Sequence, residues 1–204
     1  MRSICQECSD TRAAIRSRPF LSREARPCKA TDMTPSVLTR DISSVPALVR
    51  VVDDVHVVGV WGTTLIQIWR GTPTATLSAE VNRIARGLVA SSVHPIASLF
   101  IVERGSPTPD DETRKNFAAF SRDIVSRMSI SVVVAEGSGF RSALVRAVGV
   151  TLTTILPHSS KFRFVNDLTS AVRLIEPHLK AGGGTPQGLT AAAEELRAKI
   201  GAPR

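Results

Sequence analysis

The fold is decided by Ile96-Ala97-Ser98-Leu99-Phe100-Ile101-Val102-Glu103-Arg104-Gly105-Ser106-Pro107-Thr108-Pro109-Asp110-Asp111. Its first seven residues are an apolar run of strand length, and the run ends at a polar, glycine-containing turn. A helix start follows at once. Thr108 can cap it, Pro109 suits its first position, and Asp110 and Asp111 complement the positive end of the helix dipole. A buried strand feeding a helix through a tight loop is the unit of an open α/β sheet. In such sheets ligands and partners meet the chain just beyond the carboxyl ends of strands.

Working outward, Phe117, Phe120, Ile124 and Met128 form the apolar stripe of the helix that follows. Ile130–Ala135 is almost continuously apolar, the pattern of a strand covered on both faces. Upstream, Val55–Trp61 and Thr64–Trp69 flank Gly62-Thr63 and read as a hairpin. Leu77, Val81, Ile84 and Leu88 then mark one face of a helix. Downstream, Phe140, Leu144, Val148, Leu152 and Ile155 predict a third helix, and Phe162–Val165 a short edge strand. Leu168, Val172, Ile175 and Leu179 predict a last core helix capped by Asp167, which Pro177 should end or kink. The element order is therefore β-β-α-β-α-β-α-β-α, an α/β fold with a mixed sheet and four flanking helices.

Three segments follow from this reading. Residues 1–48 lack periodicity and are rich in Arg, Ser, Thr and Pro, so they are expected to be a disordered basic extension, with Met33 as an alternative start. Residues 49–180 form the α/β domain. Residues 181–204 are a Gly-rich linker, Ala181–Gly184, and a C-terminal helix carrying Leu189, Ala193, Leu196 and Ile200 on one face. That helix is expected to be a frayed, solvated tail, with weak docking or pairing with a partner as the alternative.

Composition narrows function more by exclusion than by indication. The 204 residues carry a net charge of +8, spread thinly and without a basic block. This favours solubility over a dedicated nucleic-acid surface. Tyr is absent and aromatics make up 4%, so no base-stacking platform is expected. Uncharged runs reach only from Val55 to Trp69 and from Ala147 to Ser160, too short to span a bilayer. All three cysteines, Cys5, Cys8 and Cys28, lie in the N-terminal extension. The core therefore has no disulfide framework, which suits a reducing, cytoplasmic location. Cys5-x-x-Cys8 lacks the four ligands of a structural zinc site and the helix start of a redox motif.

No catalytic constellation emerges. The four histidines, His56, His94, His158 and His178, have no ligand spacing, so neither a metal nor a cofactor is expected. Gly183-x4-Gly188 has Leu189 where a phosphate-binding loop needs Lys. Glu136-Gly137-Ser138-Gly139 sits at a strand-to-helix turn but lacks the Gly-x-Ser-x-Gly order of a nucleophile elbow. Its residues Glu136 and Ser138, with Arg141, are candidates for an anion or ligand loop at a helix N-terminus. Glu103, Arg104, Ser106 and Thr108 are candidates for an interaction or phospho-switch loop, because phosphate on Ser106 or Thr108 would add charge beside a helix start.

The hairpin followed by alternating strands and helices resembles the STAS domain of bacterial anti-sigma factor antagonists. Glu136-Gly137-Ser138-Gly139-Phe140-Arg141, Pro157-His158, Phe162-Arg163-Phe164 and Leu174-Ile175-Glu176-Pro177-His178-Leu179 are similar to STAS/SEC14-like proteins. The resemblance covers roughly residues 50–180 and implies a STAS-like fold. It also implies a regulatory phospho-acceptor serine between the central strand and the next helix. The Asp of the family's Asp-x-Ser motif is absent here and the hydroxyl is displaced, so Ser106 and Thr108 are positional candidates only. The expectation is a non-enzymatic interaction domain with a protein partner. The alternatives are a domain binding a small apolar or anionic ligand and an enzyme of unrecognised type.

Overall fold

Every residue of Ile96–Val102 is buried, because this strand has a parallel neighbour on each side and helices over both faces. In the computed structural model, described for residues 45–72, 74–107, 110–137 and 159–201, it is β4 of a six-stranded sheet. The strands are β1 (Leu48–Val52), β2 (His56–Trp61), β3 (Thr64–Trp69), β4, β5 (Met128–Ala135) and β6 (Phe162–Val165). They lie in the order β1-β2-β3-β4-β5-β6. The first three form an antiparallel meander, and β3 to β6 run parallel. The expected hairpin is β2–β3, and Gly62 takes a positive φ of 56° at its turn.

The sequence reading missed β1, which pairs with β2 through a register shift between Val49 and Val51. A five-residue edge strand with a bulge at Arg50 gives little periodic signal. Bulges and charges on edges are also what keep such strands from pairing with other chains.

Four α-helices are described: α1 (Ala75–Ser91), α2 (Asp111–Ile124), α3 (Leu168–Leu179) and α4 (Pro186–Arg197). The helix expected over 140–155 lies outside the described residues. Helices α1 and α2 cover one face of the sheet. Leu77, Val81, Ile84 and Ala85 meet Phe120 and Ile124 over Val58, Leu65 and Ile96. Helices α3 and α4 cover the other, where Val172, Ile175, Leu179, Leu189 and Leu196 pack on Ile66, Leu99, Ile101 and Val132.

One expectation about helix ends changes. The Thr113 N–H donates to Asp110 Oδ1 at 2.7 Å, so Asp110 caps α2, while the expected cap Thr108 and first residue Pro109 lie outside the described residues. Pro177 sits inside the last turn of α3, which ends two residues later at Leu179, as its sequence predicts. Asp167 caps α3 as expected, accepting from the Ser170 N–H at 2.7 Å.

The largest correction concerns α4. It is part of the core and not a solvated tail. Leu189 and Leu196 have no exposed surface. Gly59 on β2 is pressed so closely that a Cβ there would stand 2.7 Å from both Leu196 methyl carbons. The glycine segment is drawn in too, since a Cβ on Gly184 would stand 2.9 Å from the Trp61 ring. Thr185 caps α4 by accepting from the Gly188 N–H at 3.1 Å.

Candidate functional site

The register of the parallel strands sets the site. Trp69 pairs with Val102, Val102 with Ala135, and Val134 with Val165. The next residues out, Arg70, Glu103 and Glu136, therefore stand side by side at the carboxyl ends of β3, β4 and β5. The ladder continues one step into them, since Glu103 N–H donates to Trp69 O and Glu136 N–H to Val102 O, both at 2.9 Å. Two carboxylates and a guanidinium are thus brought together by strand length and register alone.

Arg197, in the last turn of α4, closes the row. Its Nη2 donates to Glu136 Oε1 at 2.6 Å, and its Nε lies 3.1 Å from Glu103 Oε1. The second contact is an ion pair without the alignment of a hydrogen bond. Arg70 Nε donates to Glu103 Oε2 at 2.5 Å. The Nη atoms of Arg70 reach the last carbonyls of α4 and its extension, Ile200 O at 2.9 Å and Arg197 O at 3.4 Å. Cations on the final carbonyls of a helix satisfy acceptors that have no partner within the helix. Glu103 and Glu136 are therefore neutralised internally and hold α4 on the strand ends.

The loop after β4 is fixed from beneath. Ser106 Oγ donates to Trp69 O at 2.8 Å, and Ser106 N–H to Glu103 O at 3.1 Å. The serine is buried, with 8% of its surface exposed. Gly105 supplies a positive φ of 91°, and Arg104 and Pro107 stay exposed. The Arg104 stem lies over Gly137, where a Cβ would approach its Cγ to 3.2 Å. Gly137 itself has φ 102°, so the turn after β5 excludes a side chain on both counts.

Of the residues singled out from sequence, Glu103, Arg104, Ser106 and Glu136 are thus brought into one neighbourhood. Thr108, Ser138 and Arg141 lie outside the described residues. Sequence reasoning missed Arg70 and Arg197. Arg70 had a local signal, as the first charge after an apolar strand. Arg197 had none, because its partners lie 61 and 94 positions away.

A second polar knot sits where the β1–β2 turn meets the end of β3. His56 Nδ1 lies 3.1 Å from both Asp53 carboxylate oxygens, and Nε2 lies 3.1 Å from Gly71 O. The ring stands edge-on to Trp69. Burial works to raise the Asp53 carboxyl. The Val55 N–H, the His56 ring and the His56 N–H outweigh it and hold the carboxyl below its ordinary value. Both ring nitrogens are engaged and the imidazole is 2% exposed, so this is a tie between turns and not an accessible acid–base pair.

Among the described residues no three His, Cys, Asp or Glu side chains gather in a way that could hold a metal ion. No described helix is long and apolar enough to cross a membrane. No known protein family, curated protein or solved structure matches the chain.

Proposed function

We propose that the chain is a STAS-like interaction domain that binds a protein partner through the loops at the strand carboxyl ends, without catalysing a reaction. The observation that carries this is the preorganised 103–107 loop. Glu103 and Ser106 are tied down internally, so Arg104, Gly105 and Pro107 are presented on a rigid base. A surface that loses little freedom on binding retains more of its contact energy. The exposed guanidinium of Arg104 is suited to a carboxylate on the partner. A cytoplasmic setting follows from the same reading.

The test is copurification of a defined partner with the full chain from its native cell, followed by Arg104→Glu. Arg104 makes no ion pair among the described residues, so this variant should keep its melting temperature while losing the partner. Retention of the partner at wild-type level by Arg104→Glu would overturn the proposed surface.

A further inference from the structure

The α1/α2 face of the sheet has a step at its β1 end. A helix about 10 Å wide covers roughly two strands spaced about 4.8 Å apart, and β1 projects beyond α1. Leu48 on β1 pairs with Val60 on β2 and is 53% exposed. Between this edge and the second half of α1 runs a groove of about 260 Å³. Val60, Ile84 and Leu88 form its floor, and Gly87 and Ser91 its α1 wall. Its two cations are Arg50, at the bulge of β1, and Arg83 on α1.

Charge and space both point to an occupant. Arg50 is exposed and makes no ion pair among the described residues. Arg83 uses Nε and Nη2 on Glu80, at 2.8 and 2.5 Å, which orients the guanidinium and leaves Nη1 outside that pair. Gly87 is a poor helix former in mid-helix, where Ala would be favoured. A Cβ there would meet nothing within 4 Å, so the core gives no reason for the glycine, and it widens the groove. The volume holds about nine water-sized groups at about 30 Å³ each, too few for a partner helix and suited to a small ligand.

We propose that this groove binds a free amphipathic carboxylate, its head held by Arg50 and Arg83 and a tail of about eight carbons lying on Val60, Ile84 and Leu88. The Arg50 guanidinium fork matches a carboxylate geometrically, Arg83 adds its remaining Nη1 beside the Glu80 pair, and the tail covers apolar surface that water now touches. The site lies at the opposite end of the strands from the 103–107 loop and does not depend on that loop's role.

Sodium octanoate is the probe, titrated into the isotopically labelled full chain and followed by amide chemical shifts. Saturable shifts confined to residues near 48–60 and 83–91 are expected, with a dissociation constant below the millimolar range. Octylammonium, with the same tail and the opposite charge, should produce none. Arg50→Glu should weaken octanoate at least fivefold. Gly87→Leu carries a Cβ that meets no neighbour and a side chain that occupies the groove, so it should abolish binding while leaving the melting temperature unchanged or raised. Equal response to octanoate and octylammonium, shifts elsewhere, or undiminished binding by Gly87→Leu would overturn the proposal. Cosedimentation with vesicles of anionic phospholipid in the absence of an octanoate response would overturn it in favour of a bilayer surface.

Discussion

Ser106 Oγ donates to the carbonyl oxygen of Trp69 at 2.8 Å, across a sequence separation of 37. Trp69 O also accepts the Glu103 N–H, so one carbonyl fixes both ends of the 103–106 turn. The Ser106 hydroxyl is a structural donor, and phosphorylation would require it to leave that seat first.

Ser106→Ala should therefore cost about 1 kcal/mol of unfolding free energy, the worth of a buried hydrogen bond. Ser106→Asp places an acceptor against the Trp69 carbonyl and should cost more than Ser106→Ala. Urea denaturation of both variants measures the difference. Ser106→Asp as stable as wild type would show that the turn opens freely.

Arg197 holds Glu103 and Glu136 together, but all three side chains keep some contact with solvent. Screening limits the worth of each pair, so coupling between Arg197→Met and Glu136→Gln in a double-mutant cycle should be about 0.5–1 kcal/mol. It should shrink as salt is raised from low ionic strength to 1 M. A coupling that does not respond to salt would mean that packing of the Arg197 stem, and not its charge, is the main contribution.

Leu196 and Gly59 form a close steric pair. Leu196→Ala should destabilise by about 2–5 kcal/mol, as buried leucine truncations do. Gly59→Ala should cost about 1–3 kcal/mol through overpacking. The double variant should cost less than the two added together, because the smaller residue at 196 makes room for the methyl at 59. Thermal melts of the three proteins check this, and strict additivity would show that α4 does not bear on β2 at this point.

Three aspartates give stability an acid limit. Desolvation raises Asp53, but hydrogen bonds from Val55 and His56 override it. The backbone and side-chain hydrogen bonds of Thr113 lower Asp110, and those of Ser170 lower Asp167. Each carboxyl is depressed in the folded state below its ordinary value of 3.8. Their contribution is therefore fully present above that pH and is lost as the pH falls through the folded values. The urea midpoint should be flat from neutrality to about pH 5 and fall below pH 4. The fall should be smaller in Asp110→Asn with Asp167→Asn, since the amide does not titrate.

The alternation of apolar runs and helical stripes was enough to place β2 to β6, α1, α2 and α3, because each buries a face against the sheet and records its periodicity locally. The α4 stripe was equally legible, yet its fate was not. An amphipathic helix reads the same whether it frays in water or packs on a neighbour, and the glycines before it suggested a linker. Gly59, Leu196 and Trp61 decide the matter through contacts between residues far apart in the chain. β1 escaped notice for a related reason: five residues with a bulge become a strand only when β2 offers them a partner.

The sequence by itself determined that this chain folds as alternating strands and helices with a polar turn after its central strand. It also placed Glu103, Arg104 and Ser106 in that turn and Glu136 just after the next strand. Only the tertiary structure decided what they do there. Register set Glu103 and Glu136 side by side, α4 brought Arg197 between them, and the Trp69 carbonyl took the Ser106 hydroxyl. Periodicity is a local property of the chain. Pairing of charges and donors depends on which distant segments the packing brings within about 3 Å, and no local pattern encodes that distance.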